Sequence, residues 1–430
     1  MACRAWNPVA LPSEPSEIVE AEPPHETPEV QDLEAALRPA WVDVDLSALE
    51  HNLVRIRERF RASGSDAMSM AVVKADGYGH GAVGVSRALE EAGVDWLGVA
   101  LLEEGAEIRR AGVKLPILVL GTARPAKIAL YRRYRLTPTI SSLHELALWR
   151  DWTTGQAEPQ PVHFKVDTGM GRLGVAMDEV PRALEILRGH PGLRLAGVLS
   201  HFGDADDLAS SRNRAQEERF AAVLALLTPE ERERVVIHMA NSAAALHRPA
   251  SRFALVRLGI AIYGLEPAER PDQPLPAADR TDLEPVMAVR ARIVQIREVP
   301  AGTAVSYGGR TVTRRRSRIA VVPVGYADGY AWRLTGKAEA LVRGRRVPVA
   351  GSVTMDMTLL DVTDAGAELG DEVVLLGRQG SEEVTALELA THAGTIPWEI
   401  LCHLGLRLPR RYVREGRVEE LMSRFSREDS

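Results

Sequence analysis

Cysteine is almost missing from this 430-residue sequence: Cys3 lies near one end and Cys402 deep in the last third. Two such residues exclude a stapling disulfide framework, argue against a metal centre, and fit a reducing cytoplasm. No apolar run is long enough to span a bilayer, and the opening MACRAWNPVALPSEPSEIVEAEPPHETPEV has no apolar leader segment, so neither a membrane nor export is expected. A clustered basic stripe is lacking too. The formal net charge is −6, and eight acidic side chains in residues 1–40, set against Arg4 and Arg38, account for all of it. The remaining chain is neutral overall, which argues against a nucleic-acid partner.

What is present is apolar surface: 45% of the residues are hydrophobic, enough for two or three domains with proper interiors. Residues 1–40, with seven prolines among Glu and Ser, cannot bury enough to offset chain entropy and read as a disordered acidic extension. WVDVD then reads as a strand, followed by a helix whose apolar residues Leu49, Leu53, Ile56 and Phe60 recur at helical spacing, capped by Asp45 or Ser47. Eight short apolar runs come next: SMAVVK, VDWLGVA, LPILVLG, LTPTI, VHFKVD, LAGVLS, VVIHMA and FALVRLGI, most of them separated by amphipathic stretches. Alternation of this kind implies parallel strands in a TIM barrel or a doubly wound sheet. Lys74, Asp167, His201, Asn241 and Arg257 all sit at or just past the ends of different runs, which favours a barrel with one shared mouth. After a Pro-rich, charged stretch the pattern turns to β-rich runs. The expected architecture is α/β, a (β/α)8 barrel over 41–275 and a mostly β domain over 276–430, with the first strand free to join the β domain.

Three stretches carry chemistry. In AVVKADGYGHG, Lys74 ends an apolar strand, where desolvation lowers an ammonium pKa as a Schiff-base-forming amine requires; the glycines at 77, 79 and 81 let backbone approach a flat ring or bend sharply. In HFKVDTGMGRLG, Arg172 follows a glycine-rich turn and suits recognition of a carboxylate or another anionic oxygen. HMANSAA and VRLGI bring Asn241, Ser242 and Gly259 to a helix start, which reads either as a phosphate cradle or as plain capping by Asn241 or Ser242. A lysine, a phosphate cradle and an arginine at one barrel mouth suggest pyridoxal phosphate.

Together with SHFGDADD, VSYGG, PVGYADGY and TMDM, these strings resemble the alanine racemase family, in order, from about residue 41 to 412. The resemblance implies a pyridoxal-phosphate barrel followed by a β domain, working as a head-to-tail homodimer with each site built from both subunits. It implies that Lys74 holds the cofactor and acts as one acid/base, and that Tyr307 of the other subunit is the second. Inversion at an acidified Cα needs one group on each face, and a tyrosine base needs a neighbour that favours phenolate. His201 is implied as that neighbour, with Arg257 at the pyridine nitrogen, where a permanent cation weakens the electron sink and favours racemisation over transamination. Arg172 is implied at the cofactor phenolic oxygen and the substrate carboxylate, and Lys165 as a carbamylated lysine orienting Arg172. Without carbamylation, Lys165 would be an ordinary lysine paired to Asp167 or Asp204. Tyr78, Ser242, Gly259 and Ile260 are implied at the phosphate, and Tyr326, Met355 and Asp356 at the substrate entrance from the other subunit.

The chain departs from the family at Trp398, where a tyrosine usually reaches the phosphate; an indole offers a single N–H in a different place. Leu258 and Ser352 replace a common proline and arginine. The implied activity is interconversion of L- and D-alanine for peptidoglycan. Its competitors are a broad-specificity amino-acid racemase, a non-catalytic pyridoxal-phosphate protein, and a fold-related decarboxylase. The last expects a cysteine near the second site, a context Cys402 does not show in sequence.

Overall fold

A computed structural model describes residues 38–123, 127–270 and 274–423. The acidic extension lies outside these residues up to position 37; Arg38 and Ala40, assigned to it from sequence, belong instead to the folded body. The Arg38 guanidinium holds both oxygens of the fully buried Asp328 at 2.7 and 3.1 Å, and Ala40 opens the first strand, β1 (Ala40–Asp45).

Helix α1 (Leu46–Ala62) follows directly, started by Asp45, whose side chain accepts from Ala48 N. Eight parallel strands come next: β2 (Met68–Val72), β3 (Trp96–Val99), β4 (Ile117–Val119), β5 (Leu136–Ile140), β6 (Gln160–Lys165), β7 (Leu193–Leu199), β8 (Val236–His238) and β9 (Leu255–Leu258). They pair in the order β8-β7-β6-β5-β4-β3-β2-β9. Ala254 N donates to Ile237 O and Arg257 N to Ala240 O, joining β9 to the β8 end and curling the sheet into a nearly closed barrel. Each run expected from sequence supplies one strand. Their near-continuous apolar character follows from burial on both faces, by helices outside and by the barrel interior within.

β1 is not a barrel strand. It pairs antiparallel with β10 (Met287–Arg292) and parallel with β11 (Arg410–Arg414), inside the large sheet of the C-terminal β region. Helix α2 (Ala82–Glu91) packs where this sheet meets the barrel, and there the glycines of the Lys74 stretch find their use. A Cβ on Gly81 would stand 2.0 Å from the Tyr412 hydroxyl, and one on Gly79 2.2 Å from Leu401 O. Gly81 thus lets the backbone approach Tyr412 of the β region, and Gly79 lets it approach the Leu401 carbonyl. Gly81→Ala is therefore expected to cost about 1–3 kcal/mol through overpacking, read as a lower urea midpoint. Tyr412→Phe should recover part of that loss, and additive effects of the two changes would refute the contact.

Candidate active site

The backbone after Lys74 takes an unusual path. Ala75, Asp76, Gly77 and Tyr78 have φ of 53, 55, 63 and 54°. For three non-glycine residues this is a costly conformation, of order 1–3 kcal/mol each, and it persists only if surroundings impose it. They do. Glu104 of helix α3 (Leu102–Arg110) accepts from Ala75 N, and Asp76 accepts from Ala82 N. The buried His80 ring, stacked 4.4 Å from Tyr263, donates from Nδ1 toward Gly77 O and Tyr78 O. Arg410 of β11 donates to Gly79 O from two nitrogens. The turn fixes where Lys74 leaves the strand and drives the Tyr78 ring inward.

Burial lowers the Lys74 pKa, and the Arg172 charge lowers it further, while Glu104 and Cys402 act in the opposite sense. Lys165 at the end of β6 is pushed down to about 8, chiefly by burial and then by Arg257 and Arg172. Among the described residues neither lysine has an ion-pair partner. Asp167 is engaged by the backbone N–H groups of Gly169, Met170 and Gly171, the turn that presents Arg172, and Asp204 pairs with Arg212. The ordinary Lys165 pairings weighed from sequence are thus not formed here.

Arg257 on β9 is held inside the barrel by its two terminal nitrogens. Its NH2 group donates to Ser200 O, Met239 O and His201 Nδ1, at 2.7, 2.8 and 3.0 Å, and its NH1 group to His238 Nδ1 at 2.9 Å. Because a guanidinium only donates, His201 must accept at Nδ1 and carry its proton on Nε2. Burial and four surrounding cations, Arg257 foremost, hold His201 well below the usual imidazole range, so it stays neutral.

Beside these residues is a small cup. Ser242 begins helix α4 (Ser242–His247), and its Oγ accepts from Gly259 N at 2.8 Å, leaving its own proton free to donate. The Tyr78 hydroxyl closes the cup: a Cβ on Gly259 would lie 2.6 Å from it and 3.8 Å from Ser242 Oγ. Burial pushes the Tyr78 phenol pKa up, so it too stays a donor. Asn241 uses its Oδ1 to cap α4 through Ala244 N, the plainer of its two sequence readings. Ile260, next to the cup, also lines a cavity of about 280 Å³ with Trp398 and Leu401 of helix α5 (Pro397–His403).

Tyr307, Tyr326, Met355 and Asp356 gather elsewhere, around a concavity of about 590 Å³ in the β region shared with Arg310, Trp332 and Ser352. Tyr307 is 77% exposed. Its turn is clamped by reciprocal bonds, Ser306 Oγ to Ser352 O and Ser352 Oγ to Tyr307 O. Ser352 thus anchors the backbone of the tyrosine. Arg407 bridges the buried Asp328 and Asp356.

The sequence matches the alanine racemase N-terminal domain over residues 44–267 and the alanine racemase C-terminal domain over 286–412. The chain belongs to the alanine racemase family. The alanine racemase of Synechocystis sp. is 42% identical over 373 residues, 86% of this chain and 98% of that protein. The Bacillus anthracis alanine racemase structure with bound L-Ala-P superposes with a TM-score of 0.82 at 36% identity, over 91% of this chain and 99% of that one. The Bartonella henselae alanine racemase with covalently bound pyridoxal phosphate superposes with a TM-score of 0.76 at 29% identity, over 87% and 99%. Membership makes the chain an amino-acid racemase, an isomerase acting on a small substrate. No helix among the described residues is long and apolar enough to cross a membrane.

Sequence reasoning missed three neighbours of this alanine racemase site. His238 and His163 form a buried chain behind Arg257. Cys402 of α5 lies against the Lys74 turn, its Cα 3.5 Å from where a Cβ on Gly79 would stand; its distance of 328 positions from Lys74 along the chain hides that.

Proposed function

We propose that this chain interconverts L- and D-alanine with pyridoxal phosphate, as a cytoplasmic homodimer whose product supplies peptidoglycan. One observation carries the reading. A desolvated lysine shares the barrel mouth with a cup of donors, while Tyr307 stands exposed on a separate concavity of the same chain. Exposed Tyr307, Tyr326, Trp332 and Met355 together make the kind of apolar patch that marks an interaction surface, and a second copy is the occupant that would complete both sites.

The residues fit the cofactor. The cup without a Cβ at Gly259, with two hydroxyl donors, suits a phosphate. Lys74, with its lowered pKa, suits covalent attachment. When bound, pyridoxal phosphate supplies an electron-withdrawing ring that acidifies the substrate Cα–H. Lys74 Nζ moves that proton on one face and the Tyr307 hydroxyl of the second copy on the other, which is what inversion requires. His201 has one proton left, on Nε2, and this is the donor that can stabilise the tyrosine oxygen as phenolate. Arg257 faces the ring nitrogen and Arg172 the substrate carboxylate. Tyr78, Ser242, Gly259 and Ile260 hold the phosphate, with Asn241 fixing Ser242. Trp398 bounds the site near Ile260, and Tyr326, Met355 and Asp356 of the second copy form its entrance.

Purified protein given pyridoxal phosphate should absorb in the visible, lose that band irreversibly to borohydride, and form D-alanine from L-alanine. A colourless protein would overturn the reading. Steady-state comparison of alanine, serine and lysine tests the broad-specificity alternative that Trp398 raises; serine turned over as fast as alanine would replace alanine as the defining substrate.

Lys165 yields a further expectation. A carbamate forms from the neutral amine, and a pKa of about 8 leaves a sizeable neutral fraction near pH 8 that falls as pH drops. The resulting anion would lie among Arg257, Arg172 and Lys74, the same cations that depress the amine. With 13C-bicarbonate, a carbamate carbon resonance is expected at pH 8, weaker at pH 6 and missing in Lys165→Ala. A spectrum without it at pH 8 would leave Lys165 a plain cation.

A further inference from the structure

Barrel interiors are normally filled by apolar side chains, and Met70, Leu118 and Leu255 do this in part. Beside them runs a string of polar rings. His163 of β6 and His238 of β8 are fully buried, and their strands are separated by β7, so the two rings meet across the interior. His163 Nδ1 lies 2.9 Å from His238 Nε2, and His238 Nδ1 lies 2.9 Å from Arg257 NH1.

Two neighbours set the protons on this string: Arg257 needs an acceptor on one side of His238, and His163 supplies one on the other. Arg257 can only donate, so His238 accepts at Nδ1 and carries its proton on Nε2; that proton goes to His163 Nδ1, and His163 is protonated on Nε2. Burial and the Arg257 charge push His163 down to about 3 and hold His238 well below the usual range, so neither ring takes a second proton. The chain also makes room for the outer ring. The β6–β7 register shifts between Val162 and His163, and the residue opposite is Gly197, where a Cβ would stand 2.5 Å from both Cε1 and Nδ1 of His163.

We propose that His163 is a positioning residue for racemisation: by accepting from His238 Nε2 it locks His238 in the tautomer that receives Arg257, and so holds the guanidinium in its working orientation. Without that acceptor, His238 can carry its proton on Nδ1, which sets an N–H against the guanidinium N–H and turns NH1 away. The proposal rests on the reading that Arg257 faces the cofactor ring nitrogen. There its fixed cation suppresses a side reaction in which alanine exchanges its amine for the oxygen of the cofactor aldehyde, leaving pyruvate and an aminated cofactor.

The test uses the full-length chain, wild type against His163→Leu, His163→Asn and Gly197→Ala. Asparagine keeps an acceptor oxygen near the Nδ1 position, and Gly197→Ala displaces the His163 ring without altering His238 or Arg257. Two quantities are read: side-chain 15N shifts of histidine-labelled protein free of cofactor, which report the His238 tautomer, and pyruvate released per racemisation turnover in the holoenzyme. The expectation is a single Nε2–H tautomer in wild type and His163→Asn, and a mixture in His163→Leu and Gly197→Ala. Pyruvate per turnover should rise at least about tenfold in those two, with KM within about twofold of wild type. If His163→Leu does not fold, Gly197→Ala decides alone. An unchanged His238 tautomer in the folded variants overturns the lock. A changed tautomer with an unchanged pyruvate ratio overturns its link to the reaction, whereas failure of the wild type to racemise alanine would instead refute the function.

Discussion

Tyr307→Phe is expected to give a folded, cofactor-binding protein that has lost racemisation. The hydroxyl makes no hydrogen bond among the described residues and the side chain is 77% exposed, so its removal should change stability by no more than about 0.5 kcal/mol. The loss falls on chemistry: removing one positioned acid/base costs about 10²–10⁴ in kcat. Lys74 remains, so solvent deuterium should still enter Cα of one enantiomer with retention, a signature that a general defect would not leave. Mixing supplies a sharper check. Coexpressed with Lys74→Ala, the Tyr307→Phe chain can form dimers in which one site has both bases, and a statistical mixture should regain about a quarter of wild-type activity. Either variant alone should stay inactive. If the mixture were as inactive as its components, the shared site would be wrong. Full activity of Tyr307→Phe would remove the second base altogether.

Much of this arrangement is legible along the chain because the barrel repeats a local rule. Most of the strands are apolar runs with a polar residue at or just past the end, and parallel crossovers bring those ends to one mouth, so Lys74, Asp167, His201, Asn241 and Arg257 can be grouped before any contact is known. What is hidden depends on partners far apart in sequence. Nothing around Gly81 announces Tyr412, and nothing around Arg38 announces Asp328, because each pair forms only when the β region closes on the barrel or on the first strand. The His163–His238 pair is hidden for a different reason. A histidine in a strand reads as a satisfied core residue, and only the meeting of β6 and β8 across the barrel shows that its proton is assigned from Arg257. Tyr307 is the opposite case: its string is visible, yet one chain leaves it apart from Lys74, and the second copy has to be inferred from its exposure.

Arg257→Leu is expected to damage fold and function together, and the two losses can be separated. The guanidinium serves four acceptors, Ser200 O, Met239 O, His201 Nδ1 and His238 Nδ1, all within the barrel. Leucine leaves each without this donor in a buried setting, where a single unmet group costs about 1–3 kcal/mol. Neighbouring losses are not additive, so a total of about 3–5 kcal/mol is expected, read as a lower urea midpoint with unchanged slope in protein free of cofactor. Arg257→Lys keeps a cation and three donors but not the planar fork, and should fall between the two. Function should follow a different order. With the Arg257 constraint gone, His201 is free to carry its proton on Nδ1, and the donor that stabilises a tyrosine oxygen is lost along with the cation at the ring nitrogen. Arg257→Lys keeps the cation but lacks the planar fork that fixes both histidine tautomers, so its racemisation should still fall by more than its stability loss explains, and most of that fall should persist at temperatures where the variant is fully folded. If activity instead tracked the folded fraction alone, Arg257 would be a structural cation, and the two histidine tautomers would have no part in the chemistry.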